Sequence, residues 1–157
     1  MWSMYLIFVV GTTIVLPLAA TIIHMLVDPG ADLLLVAASW FVGFGVGVRL
    51  LGAGLMQMFR PQFTAKGLLG IDSPGANQVV QELGFANTAM GIGGIVAGSL
   101  AAWLAPVAAV GGIFLLLAGI GHITKRGKTA REWIPTVTDL ILAVILLTFV
   151  VLLLQRG

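Results

Sequence analysis

The chain has 157 residues, 59% of them hydrophobic and 9% charged, with a net charge of +2 and no cysteine. So little charge cannot cover the surface of a soluble domain of this length, and the lack of cysteine removes disulfides, thiolate metal sites and iron–sulfur ligation. No basic stripe interleaved with aromatics is present, so phosphate or base contacts to a nucleic acid are excluded as well.

Apolar runs of about 20 residues match the thickness of a bilayer. The first covers about residues 4–27, contains Pro17, and stops at Asp28-Pro29-Gly30, where proline biases its predecessor away from helix and glycine opens a turn. A second covers about 32–58, with Asp32 at its start. An irregular connection follows from Phe59 to Ile71, carrying Arg60-Pro61 and Lys66-Gly67. Ser73-Pro74 then reads as an N-cap followed by proline at the first helical position. The helix it opens, about 74–104, begins polar with Asn77, Gln78, Gln81 and Glu82, and Ala105-Pro106 is expected to turn the chain. The remaining runs cover about 107–124 and 135–154, with Pro135 in the first turn of the last.

The fold predicted is all-α: a single polytopic transmembrane bundle of four to five spans. Arg60 and Lys66 follow the second span, and Lys125, Arg126, Lys128 and Arg131 follow the fourth, whereas the other two connections hold no Lys or Arg. The positive-inside rule therefore predicts a cytoplasmic N-terminus. The expected location is a bacterial cytoplasmic (inner) membrane.

Polar groups within a span are costly and face protein or trapped water rather than lipid. On this topology five of them share the cytoplasmic half of the bundle: Arg49, Glu82, Asn87, His122 and Asp139. Asn87 lies about 7 Å deeper than Glu82 at about 1.5 Å per residue. It also lies about 140° around the helix from it, so the two face different neighbours. One reading makes the set a structural network that orients the spans. The other makes it a pocket for a proton, a cation or a small polar ligand. Neither a metal nor another cofactor is expected. His24 and His122 lie near opposite faces and cannot sandwich one haem, and no serine sits on the strand–turn–helix of a hydrolase. Gly91, Gly94 and Gly98 share a face with Asn87 at three- and four-residue steps, which predicts close helix packing rather than a phosphate loop.

From Ser73 onward, Gln81-Glu82-Leu83-Gly84-Phe85-Ala86-Asn87 with Gly91 and Gly94, then Ala118-Gly119-Ile120-Gly121-His122, then Asp139, resemble a family of small bacterial integral-membrane proteins of unknown function, DUF6790. The resemblance implies Glu82, Asn87, His122 and Asp139 as a set and implies no reaction. Arg49-Leu50-Leu51-Gly52 through Arg60-Pro61 also resembles, more weakly, the arginine- and glycine-bearing span of DoxX-type membrane proteins. With no complete catalytic set and many small-residue faces, the leading expectation is a non-enzymatic accessory subunit. Its partners would be the lipid bilayer and other membrane subunits or copies of itself. The alternative is a small transporter or redox-linked protein using Glu82, His122 and Asp139 as a proton or cation site. An enzyme acting on a quinone or lipid ranks third, because the Trp and Tyr residues suit interfacial belts better.

Overall fold

A computed structural model describes residues 2–124 and 133–156, and six helices make up its regular structure. The basic run 125–132, which carries much of the charge bias behind the predicted orientation, lies outside the described residues.

Helix α1 runs through Trp2–Val10, a π-helical stretch Gly11–Val15, and Leu16–Val27. The widened turn sits just ahead of Pro17, whose ring clashes with the carbonyl four residues back and removes one hydrogen bond. Helix α2 follows the same plan through Leu33–Phe41, the π-helical Val42–Val48, and Arg49–Phe59. Asp32 caps it as expected, its Oδ1 accepting from the backbone N–H of Leu34 at 2.9 Å and Leu35 at 3.1 Å. The irregular connection contains a short helix, α3 (Pro61–Ala65), and a left-handed turn at Gly70, φ 71°, which favours glycine. Ser73 caps α4 (Pro74–Ser99) by accepting from the Ala76 N–H at 3.2 Å, with Pro74 at the first position. Helices α5 (Ala101–Thr124) and α6 (Trp133–Leu154) complete the bundle.

One boundary differs from expectation. The chain breaks at Leu100, in extended conformation, and Ala105-Pro106 makes no turn. Pro106 lies near the start of α5, where the one bond it forfeits is to the carbonyl of Ala102; membrane helices tolerate such a proline when neighbouring groups take up the slack.

Four stretches are long and apolar enough to cross a bilayer: Ser3–Val27, Leu33–Phe59, Ala101–Thr124 and Trp133–Leu154. Helix α4, with 26 residues, is as long but starts with the polar run from Asn77 to Glu82 and is not among them. It packs antiparallel along α2 over most of its length, from Gly98 beside Gly43 to Gln81, whose Nε2 donates to the Met58 carbonyl at 3.2 Å. That packing sets α4 beside its neighbour over the same depth of the bundle. Gly91 and Gly94 are buried there, pressed against the backbone of Leu51 and Gly47, so the glycine face found in the sequence seats one helix of this chain on another. Gly119 and Gly112 instead make room on α5 for the side chains of Leu140 and Leu147 of α6. Val42, Val46, Leu104, Leu142 and Leu146 fill the centre, while Ile7, Ile22, Val110, Leu117 and Val144 point outward, as lipid contact requires.

Candidate functional site

Three elements assemble the charged part of the site. Arg49 is the first residue after the π-helical stretch of α2, His122 lies in the last turn of α5, and Asp139 lies two turns into α6. The Arg49 Nη2 donates to the Asp139 carboxylate and, at 3.0 Å, to the Thr138 hydroxyl. Thr138 in turn donates to the Ile134 carbonyl at 2.8 Å, a local bond that holds its oxygen toward the guanidinium. Only 7% of the Arg49 side chain and 8% of that of Asp139 are exposed, so this is a buried ion pair rather than a surface one. His122 stands at the other carboxylate oxygen, Nε2 to Oδ2 4.0 Å, and is partly exposed. No third His, Asp or Glu joins them within metal-binding reach among the described residues.

Asn87, buried in α4, donates through Nδ2 to the Gln57 Oε1 at 2.7 Å. Gln57 follows Arg49 by two four-residue steps along α2, so both lie on the face that α4 and α6 cover. Two polar atoms here are buried with no hydrogen-bond partner among the described residues: Arg49 Nη1 and Asn87 Oδ1.

Arg49, Gln57, Asn87, His122 and Asp139 border one cavity of about 460 Å³ at the end of the bundle where Phe59, Gln81 and His122 lie. Helices α1, α2, α4, α5 and α6 form its walls, and Phe63, Thr64, Leu68 and Leu69 of the α2–α4 connection close it. Tyr5 of α1 lines it too, its ring 6.2 Å from that of Phe63 and tilted by 60°. Apart from the groups named, the lining is apolar, with Phe8, Leu50, Met56, Leu83, Phe114 and Leu115 among it. Its size falls in the range of about 300–1,000 Å³ usual for small-molecule pockets.

Of the five polar positions singled out in the sequence, the structure brings Arg49, Asn87, His122 and Asp139 to this cavity and leaves Glu82 out. Glu82 is exposed on the outer side of α4, with no ion-pair partner among the described residues. The rotation between Glu82 and Asn87 decides this: only one of them can face α2. Gln57, Thr138 and Tyr5 were not foreseen. A polar Gln inside an apolar run, on Arg49's face, was the signal for the first, and adjacency to Asp139 the signal for the second. His24 sits near the opposite end, accepting at Nδ1 from the Trp40 indole N–H at 3.4 Å.

Residues 7–156 match the model of a family of unknown function, DUF6790. The chain belongs to that family. The match spans every charged and amide residue of the cavity and leaves out Tyr5. No curated protein and no solved structure matches this DUF6790 chain. The likeness of Arg49–Pro61 to DoxX-type proteins finds no support in these comparisons. With its apolar helices, the DUF6790 chain is a small helical membrane protein of a family without an assigned function.

Proposed function

We propose that this DUF6790 protein binds a small molecule inside the membrane, in the cavity walled by Arg49, Asn87, His122 and Asp139, in the manner of a small transporter or ligand-handling membrane protein. One observation carries the reading: the Arg49–Asp139 pair is more than nine-tenths buried, yet both residues still border a cavity of small-molecule size. Removing two charges from water costs several kcal/mol for each, and a purely structural pair is replaceable by apolar side chains at little loss. Ionisable groups at such a position mark ligand or ion pathways by default. The positive-inside bias supports an N-terminus in the cytoplasm, and with it a chamber near the cytoplasmic face of a bacterial inner membrane.

Native mass spectrometry of the full chain released directly from membranes tests this. Wild type should retain a bound small molecule that Ala118→Phe, which fills the chamber, has lost. Identical spectra for the two proteins, both free of any adduct but lipid, refute it.

The accessory-subunit reading draws on a different observation. An outward groove of about 380 Å³ between α4 and α5, lined by Met90, Gly93, Trp103, Val107 and Gly111, offers an apolar surface to a neighbour. The buried glycines weigh against it, since Gly91 and Gly94 are already covered by α2 of the same chain. A monomer in native membranes would remove this second reading.

A further inference from the structure

The rim of the chamber shows which medium it meets. We propose that its ligand is an uncharged, apolar molecule dissolved in the bilayer, held against the aromatic walls and in contact with lipid at the seam between α1 and α2. This rests on the reading of the cavity as a binding chamber, and it names the ligand's chemistry.

Two rows of lining residues form that seam. Met4 and Phe8 stand about one turn apart on α1, and Gly52 and Met56 about one turn apart on α2. Phe8 lies over Gly52, where an added Cβ would stand 2.6 Å from its ring. The two helices run antiparallel, since His24 of α1 meets Trp40 of α2 at the other end, so the turn of Met4 falls beside that of Met56. Met4, Phe8 and Met56 are 74%, 37% and 40% exposed, although all three border the chamber. Both rows belong to stretches long and apolar enough to cross a membrane, so their exposed side meets acyl chains. The end of the chamber, by contrast, is covered by Phe63, Leu68 and Leu69.

The interior selects for the same chemistry. Its charged and amide groups are engaged with one another or with Thr138: Arg49 with Asp139 and Thr138, Asn87 with Gln57. The ion pair carries no net charge, so an ionic ligand would shed its hydration without gaining a counter-charge from it. Tyr5, Phe8, Phe63 and Phe114 bring four aromatic rings to the wall, beside Leu50 and Leu115. A cavity with such a lining forfeits dispersion contacts while it is empty, and an apolar guest restores them. Moving from lipid into the chamber costs that guest no hydration, whereas a polar guest must lose its water first.

Two photolabels sharing one reactive ring separate the possibilities. One is neutral phenyl(trifluoromethyl)diazirine, which partitions into the bilayer; the other is its ring carboxylate, which stays in water. Each is irradiated with the full chain in lipid nanodiscs, and the marked residues are read by peptide mass spectrometry. In wild type the neutral label should mark Phe8, Met56 and the half-buried Phe114, and should mark Phe114 at least about tenfold more than the carboxylate does. Ala118→Phe, which fills the chamber, should lose the mark on Phe114 and keep that on Leu117, which points outward. Equal marking of Phe114 by the carboxylate, lost in Ala118→Phe, overturns the ligand class while the chamber reading stands. Marking of Phe114 without Phe8 and Met56 overturns the seam. If neither label marks Phe114, or Ala118→Phe leaves its mark unchanged, the chamber reading itself falls. Should Ala118→Phe fail to fold, the ratio of the two labels at Phe114 in wild type decides.

Discussion

Alanine at Gly94 and at Gly93 should move stability in opposite directions, although the two glycines are adjacent on α4. A Cβ on Gly94 would strike the backbone nitrogen and Cα of Gly47, with the carbonyl carbon of Val46 at 2.9 Å. None of these atoms can swing aside, so α2 and α4 must separate. Overpacking of this kind costs about 1–3 kcal/mol, and a clash with backbone belongs at the upper end. Alanine returns about 1 kcal/mol through its better helix propensity. The net loss is therefore about 2 kcal/mol, which lowers the thermal midpoint by roughly 4–8 °C for a chain of this size. At Gly93 a Cβ meets nothing within 4 Å, so only the propensity gain remains, and the midpoint should rise by about 2–4 °C. Thermal unfolding of both variants in the same detergent, followed by circular dichroism, measures the difference directly. If Gly94→Ala is as stable as wild type while Gly93→Ala is not, the α2–α4 contact is not the close backbone seam described above.

The buried ion pair supplies a second prediction. Asp139→Leu strands the Arg49 guanidinium and should cost about 3–5 kcal/mol, while Arg49→Met with Asp139→Leu should recover most of it, since the expensive state is the unpaired charge. Equal losses in the single and double variants, read from thermal midpoints, would contradict that account. At the far end of the bundle, the Leu35 backbone N–H holds the Asp32 carboxyl below the usual carboxylate range, helped by the Arg156 charge and the Leu34 N–H. A lowered folded value means that its stabilising effect is complete above the unfolded value of about 3.9 and is lost as pH falls through the lower folded one. Wild type should therefore lose more of its thermal midpoint than Asp32→Asn between pH 6 and about pH 3; parallel losses would show that the cap is not charge-dependent.

The helical membrane class, the capping residues Asp32 and Ser73, and the glycine face of α4 were all legible because each rests on local pattern: length of apolar run, residue type at a cap, or spacing at three and four. Leu100 was not legible as a break, since a lone leucine carries no turn signal, whereas Pro106 carries a strong one that membrane packing overrides. The site was legible by depth but not by direction. Hydropathy puts Arg49, Glu82, Asn87, His122 and Asp139 at comparable depth, yet only the rotation of each helix against its neighbours sends Glu82 outward and turns Gln57 inward. That rotation is set by the α2–α4 glycine contact, which is tertiary information. Tyr5 reads as an interfacial aromatic from sequence and becomes a chamber wall only because the α2–α4 connection folds back over it.

Two ties join α2 to α6 at different depths. The Arg49–Asp139 pair stands near the chamber, and at the opposite end Asp32, which caps α2, meets Arg156 just past the end of α6, Oδ2 to Nη1 2.5 Å. Two helices tied at two points resist rocking more than two tied at one, and the buried Arg49–Asp139 pair is the stronger of these ties. Helix α1 has no Asp, Glu, Lys or Arg anywhere along it and leans on α2 through contacts such as Phe8 over Gly52. A rearrangement of α1 or of the Pro61–Ala65 cover would leave both ion pairs, and the register of Arg49 with Asp139, intact.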